Sequence, residues 1–522
     1  MALEPLGLVV GEAKNVEITF TANRPPQVGE YILVEYPRTN CYETMDCSYV
    51  LGIVEESHIG NPMMNNLSVK PDHVEKALQF GADRHIYMVG KARLLSWVKP
   101  LAEKKVLYAP KYPPMPGAKV YRADDHTLQE VFSCKENKCI PIGRLVNHPN
   151  VKVNIDVNAI MSRHLAILAV TGAGKSNTVG VLLDRIAENL GGTALVIDMH
   201  NEYGNIAGEK TKILAPRLNP ASLSVWEYYS LLGLDENASK QRMYFAKAYD
   251  ETTKDKEYLK HPEEFIPKLR EALEKFTMNK SYASDKRSII DVINKLDELM
   301  RRYGGTVLSP EAPINIETYV EPGKINVLQL GSVDEDVADA VTYHYLNSLL
   351  AKRKEYVTSD GRSGYPVPIL IVIEEAHILI PRDRRTLTKS VAARIAREGR
   401  KFGVGLTLVS QRPKNIDEDA LSQTNNKIIL KLVSPEDLRY VQRASETLSN
   451  ELLELLPALN VGEAVLLGMM IPIPAIVKID KHRHKSKGSD IDAVEEWSKY
   501  SNEIKGKKNE NELDGYDDFI MT

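Results

Sequence analysis

The charge that would advertise a polyanionic partner is missing from this chain as a whole. Its 67 Lys and Arg are outnumbered by 71 Asp and Glu, for a formal net charge of -4. Any polyanion therefore has to be met by a local patch and not by a global field. Long apolar runs are also missing: the longest apolar region, around Ala464 to Val477, is broken by Pro472 and Pro474, which excludes an obvious membrane span. No charged-then-apolar leader follows Met1, so a cytoplasmic protein with no membrane partner is expected. Cysteine is scarce. Cys41, Cys47, Cys134 and Cys139 form two loose pairs without the tight C-x2-C spacing of common zinc sites. They are expected to be small buried residues, with a local Cys134 to Cys139 bridge as the alternative, since intracellular disulfides are rare outside hyperthermophiles.

What is present is length, and 522 residues are too many for one hydrophobic core, so two or three domains are expected. The chain is organised around Leu165-Ala-Ile-Leu-Ala-Val-Thr-Gly-Ala-Gly-Lys-Ser-Asn-Thr178. A short apolar run turns into a glycine-containing loop and then into Lys175-Ser176 at the head of a helical pattern, the order of a P-loop nucleotide site. Gly172 and Gly174 let backbone N–H groups converge on phosphate oxygens. Lys175 is expected to reach the β- and γ-phosphates of ATP, and Ser176 to hold Mg2+, while the helix points its positive end at the anion. Ala169 stands where the motif has its first glycine. A plain glycine turn after a buried strand would still leave Lys175-Ser176 without a reason to follow.

Upstream, Val9-Val10, Val16–Phe20, Tyr31–Tyr36, Tyr49–Val54 and Ile86–Val89 read as short strands separated by turn residues, a small β-barrel. The proline-rich Pro110–Gly117 reads as a linker. Downstream, a helix from Asn177 to Leu190 leads to the strand Thr193–Asp198. An acid at the carboxyl end of a buried strand lies where open α/β sheets place ligands. Asp198, His200 and Glu202 are therefore candidates, balanced against simple capping. From about residue 216 to 310 helical periodicity takes over, with Phe265, Leu269, Leu273 and Phe276 on one face and Ile289, Ile293, Leu296 and Met300 on another, which reads as a helical insertion.

The second half of the site is Pro368-Ile-Leu-Ile-Val-Ile-Glu-Glu-Ala-His377, a strand buried on both faces that ends in two acids. Glu374, where Asp is usual, is expected to support the metal, and Glu375 to polarise the attacking water. Two adjacent buried carboxylates with no metal would repel and shift upward in pKa, so a purely structural pair is disfavoured. The strand Gly403–Val409 ends in Ser410-Gln411-Arg412, which puts Gln411 where an amide can report on a γ-phosphate. Arg382, Arg384 and Arg385 follow the acidic strand with no aromatic among them, a candidate contact for DNA phosphates or else a solvated helix start. The helix Thr386 to Arg400 carries Arg394, Arg397 and Arg400. Arg400 is the candidate finger for a neighbouring subunit's γ-phosphate, with Arg397 as the alternative and a salt bridge to Glu398 or another acid as the competing reading.

Taken in this order, the strand-rich N-terminus, Thr171-Gly-Ala-Gly-Lys-Ser176, Asp198 through Gly204, Glu374-Glu-Ala-His377 and Ser410-Gln411-Arg412 resemble the HerA family of archaeal hexameric DNA helicases and translocases, in the FtsK-HerA group. The resemblance covers nearly the whole chain. It implies an α/β fold: a RecA-like P-loop NTPase core with an N-terminal small β-barrel and a helical insertion. It also implies a ring of six subunits that pumps double-stranded DNA, and a NurA-type nuclease partner in end processing for recombination. Residues 1–112 are then the barrel and linker, 113–480 the ATPase core, and 481–522 a C-terminal brace and polar tail. By the same resemblance the nucleotide contacts are Thr171, Gly172, Ala173, Gly174, Lys175, Ser176, Asn177, Asp198 and Arg163, with Lys481 and His482 of Lys481-His-Arg-His-Lys485 bracing a neighbouring nucleotide. The competing readings are a P-loop motor for protein substrates and an ATP-binding scaffold that is no motor.

Overall fold

A computed structural model of the chain describes residues 3–484 apart from 43–44, 65–69, 80, 135–136, 255, 316–317 and 446, together with 494, 497–498 and 500. Its first unit is built from β1 (Pro5–Val10), β2 (Glu17–Ala22), β3 (Tyr31–Tyr42), β4 (Met45–Gly60), β5 (Tyr87–Trp97) and β6 (Lys119–Arg122). These close into a barrel in the order β1-β2-β5-β4-β3-β6, every neighbouring pair antiparallel. Alternate residues point inward: Ile18 and Phe20, Ile32 and Val34, Val50, Val54, Ala92 and Val120 are buried together. The five strands expected from the sequence are all present. The sixth comes from beyond the proline-rich stretch, so a boundary at residue 112 falls inside the barrel. Four residues are too few to show a period of their own, but β6 pairs with both β1 and β3 and so removes two open edges at once.

The cysteines are not simple buried thiols. Cys41 and Cys47 lie near the end of the β3–β4 hairpin, where the register pairs Thr39 with Cys47, and are joined in a disulfide with Cα atoms 5.8 Å apart. A second disulfide joins Cys134 to Cys139 at 6.1 Å. The first bridge was hidden in the sequence because only the hairpin register brings its ends together.

The second unit is an eleven-stranded sheet. Its strands are β7 (Cys139–Leu145), β8 (Lys152–Asp156), β9 (Leu165–Leu168), β10 (Ala194–Asp198), β11 (Thr211–Leu214), β12 (Ile325–Gln329), β13 (Ile369–Ile373), β14 (Val404–Ser410), β15 (Asn426–Ile429), β16 (Glu463–Leu467) and β17 (Ala475–Ile479). Their order is β11-β12-β10-β13-β14-β9-β15-β16-β17-β7-β8. The first seven of these run parallel and the rest join antiparallel. All residues of β9, β10, β13, β14 and β15 are buried, as continuous apolar runs covered on both faces require.

On one face the sheet shares a core with the helical insertion, Val225–Leu231, Ser239–Thr252, Phe265–Met278 and Lys286–Tyr303. On the other it shares one with the flank of the barrel, where Tyr31, Leu33, Leu51 and Ile53 pack with Phe132, Ile140 and Ile142. The Tyr31 hydroxyl donates to the Pro474 carbonyl at 2.6 Å across this contact. Among the described residues no helix is long and apolar enough to cross a membrane.

Phe265 centres the insertion's core, fully buried against the rings of Tyr228, Tyr249 and Tyr258. Phe265→Ala is expected to remove about 3–5 kcal/mol from the stability of that unit, read by chemical denaturation of the purified protein. An unchanged unfolding midpoint would refute this account of the insertion's core.

Candidate active site

The sheet order builds the site. β14 lies between β9, which feeds the glycine loop, and β13, which ends in the two acids, so all three carboxyl ends meet in one place. Gly172 and Gly174 have φ of 76° and 105°, values that side chains resist. Space is not the reason at Gly172, where an added Cβ would meet nothing within 4 Å. Glu375 also has positive φ, 46°, a strained backbone for a residue with a side chain and one that clusters at functional sites.

The ammonium of Lys175 donates to Glu374 Oε1 and to Glu375 Oε1, each at 2.6 Å. The three side chains are almost fully enclosed, with residue exposures of 7%, 0% and 3%. Burial works against the charged lysine, but the carboxylates outweigh it and raise its pKa. The acids diverge although both touch the lysine. Burial pushes Glu374 up to about 7, with Lys175 only partly offsetting it. Burial pushes Glu375 up as well, but His377, Lys175 and Gln411 overcome it and bring the carboxyl down to about 2. The difference lies in their neighbours, because Glu375 has the His377 ring 3.2 Å from its Oε2 and accepts from Gln411 Nε2 at 2.8 Å. Gln411 Oε1 in turn accepts the Thr171 hydroxyl of the loop, so the amide spans loop and acid.

The Ser176 hydroxyl donates to Glu202 Oε2 at 2.9 Å, and Glu374 Oε2 is buried without a partner. Such an all-oxygen set suits a hard cation such as Mg2+. His200, Glu374 and Glu375 also offer ligand atoms within 4.8 Å of one another.

Several expected contacts lie elsewhere. Asp198 is fully buried and accepts the backbone N–H groups of His200, Glu202 and Tyr203 at 3.3, 3.1 and 2.9 Å. It caps its own turn, the reading weighed against a ligand role. Asn177 spends its side chain on the Asp480 carbonyl and the His482 N–H, both at 2.9 Å. The segment expected to brace a neighbour is strapped onto this chain's own loop helix, Lys175–Leu190. His482 Nε2 meets the Ile206 carbonyl at 2.8 Å, and its ring is so close that a Cβ on Gly180 would come within 2.7 Å. Lys481 is exposed and Lys485 falls outside the described residues.

Arg163 ends the helix that enters β9, whereas the glycine loop leaves the strand's other end. Four strand residues separate them, about 13 Å, so Arg163 does not touch this chain's own loop. It lines a cavity of about 880 Å³ with Lys427 and Asn425, away from the glycine loop. His164 accepts the Leu406 N–H at 3.1 Å and meets the Ala396 carbonyl at 3.1 Å, which ties the residue after Arg163 to the helix Leu387–Phe402 at the amino-terminal end of β9. On that helix Arg397 and Arg400 are exposed. Glu398, the acid named against the finger reading, pairs instead with Lys354 at 2.6 Å.

Arg382 lies over the Tyr440 ring at 5.5 Å, while Arg384 pairs with Glu335 at 2.7 Å and Arg385 with Glu236 at 2.8 Å. Exposed pairs of this kind contribute at most about 1 kcal/mol, so a phosphate can displace them. His377 was passed over in the sequence: it belongs to the acidic motif, but nothing in the spacing shows what its ring faces.

A glycine loop that feeds a helix, two acids one inserted strand away and an amide bridging the two define a P-loop ATPase. Residues 140–349 match the family described as "Helicase HerA, central domain" and residues 303–489 match "Helicase HerA-like C-terminal". The chain is 39% identical over 500 residues to the DNA double-strand break repair helicase HerA of Saccharolobus solfataricus, covering 95% of this chain and 96% of that one. It is 33% identical over 556 residues to the protein of the same name from Pyrococcus furiosus, covering 95% and 97%. The chain belongs to the HerA helicase family and is an ATP-hydrolysing enzyme.

The two acids titrate in separate windows. With its pKa raised to about 7, Glu374 keeps a proton in the folded state that the unfolded chain has lost. Its contribution is complete below the ordinary carboxylate range, about 4.3, and fades as pH rises to about 7. Glu375, lowered to about 2, contributes above that range, and the contribution is lost as pH falls to about 2. In melting curves of the nucleotide-free protein, Glu374→Gln is expected to flatten the upper window and Glu375→Gln the lower. Equal flattening of both windows by either variant would contradict the division.

Proposed function

We propose that this chain is an ATP-driven motor for double-stranded DNA that works in double-strand break repair, as its relatives' name describes. The observation that carries it is the buried Lys175–Glu374–Glu375–Gln411 constellation in a chain alignable over nearly its whole length with helicases of that name. Lys175 leaves the two carboxylates for the β- and γ-phosphates when ATP enters. Ser176 and Glu374 hold Mg2+, which neutralises phosphate charge. Glu375, kept ionised, polarises the attacking water, and Gln411 reports the γ-phosphate.

Arg163 and Arg400 serve a neighbouring subunit. Both are at the amino-terminal edge of the sheet, out of reach of their own loop, and a hexameric ring brings that edge to the next nucleotide. An arginine so supplied contributes on the order of 10³ to 10⁵ in rate. Arg382, Arg384 and Arg385 meet DNA phosphates by exchanging surface acids for them. The barrel is the docking unit for a NurA-type nuclease.

The deciding measurement is ATPase rate with and without linear duplex DNA. Stimulation is expected, Lys175→Ala is expected to abolish hydrolysis, and Glu375→Gln to bind ATP without turning it over. A rate indifferent to DNA would overturn the motor reading. Replacing Arg382, Arg384 and Arg385 with Ala is expected to lower the log-log salt slope of DNA binding by roughly 0.9 per lost phosphate contact. For Arg400, Arg400→Ala and Lys175→Ala proteins are each expected to be inactive, and to regain hydrolysis when mixed in one ring. Rings proven mixed but inactive would rule out the finger in trans.

A further inference from the structure

The two oxygens of Glu375 have different surroundings. Oε1 accepts from Lys175 Nζ at 2.6 Å and from Gln411 Nε2 at 2.8 Å. Oε2 is buried without an aligned donor, yet His377 Nδ1 is only 3.2 Å away. That nitrogen is aligned instead on Ser410 Oγ, also at 3.2 Å, and Ser410 Oγ already accepts the Arg412 backbone N–H at 3.0 Å. The imidazole thus stands between the catalytic carboxylate and the end of β14, one residue before Gln411.

Both donors on Oε1 belong to groups that the proposed cycle moves toward the γ-phosphate. Once they leave, Glu375 is a buried carboxylate on a strained backbone with no donor on either oxygen, a costly state. His377 is the adjacent group that can prevent it, needing only a small turn of its ring. We infer that His377 is a positioning residue for hydrolysis: when ATP draws Lys175 and Gln411 away, His377 Nδ1–H donates to Glu375 Oε2 and leaves Oε1 facing the attacking water. The ring acts through Glu375 and touches neither nucleotide nor water. This rests on the reading of Glu375 as the water-polarising group.

The test uses the full-length protein with His377→Ala, His377→Asn and His377→Gln. An asparagine amide nitrogen falls near the site of Nδ1, while that of glutamine reaches toward Nε2. Steady-state ATPase, affinity for a non-hydrolysable ATP analogue and melting temperature are measured for each. His377→Ala and His377→Gln are expected to lose about ten- to a hundredfold in kcat, the size typical of removing an orienting partner. Their KM and analogue affinity are expected to stay at the parental values, and His377→Asn to recover most of the rate. Parental kcat in His377→Ala, a raised KM with unchanged kcat, or a folded His377→Asn as slow as His377→Gln would overturn the inference. If His377→Ala does not fold, the Asn and Gln pair decides alone. A parental rate in Glu375→Gln would overturn the Glu375 reading itself, and the inference with it.

Discussion

One ammonium shared by two buried carboxylates holds the site together. Lys175 is 199 residues from Glu374 and 200 from Glu375, and none of the three could be buried alone without either a large desolvation cost or loss of its charge. Their contact pins the head of the loop helix to the end of β13. In the proposed cycle the lysine exchanges these carboxylates for the more negative phosphates, and the pair loses its counterion as the nucleotide enters.

The inserted strand follows from the same constraint. With β14 between β9 and β13, Gln411 reaches Thr171 on one side and Glu375 on the other. An amide suits this place, since it donates to the acid and accepts from the hydroxyl without adding charge. Around this centre the loop helix is fixed from behind by the strap through Asp480 and His482, with Arg185 paired to Asp480 at 2.7 Å. The barrel and the helical insertion cover opposite faces of the sheet and leave its carboxyl ends for the ligand.

Much of this was legible because it depends on local pattern. A strand buried on both faces must be apolar throughout, so β9, β10 and β13 announced themselves. Gly172 and Gly174 answer to backbone angles that only the loop geometry requires, and the spacing of Phe265, Leu269 and Leu273 answers to the helical repeat. Short segments failed. β6, with four residues, could not be separated from the linker, and β11 is equally brief. Asp198, Asn177 and His482 read as nucleotide contacts, but the partners that the structure gives them lie 2 to 305 residues away, which no local pattern records.

The sequence by itself determined the class of chemistry, since phosphate binding needs glycines, a lysine and a hydroxyl in a fixed local order, and hydrolysis needs acids at the end of a buried strand. Only the tertiary structure decided which groups meet. It joined Cys41 to Cys47, placed Arg163 at the amino-terminal end of β9 away from the glycine loop, gave Glu398 to Lys354 and set His377 beside Glu375. The physical reason is that dihedral preference and periodicity act over a few residues and are written in the chain. Hydrogen bonds and ion pairs between side chains act over a few ångströms, and those distances are set by strand order and register.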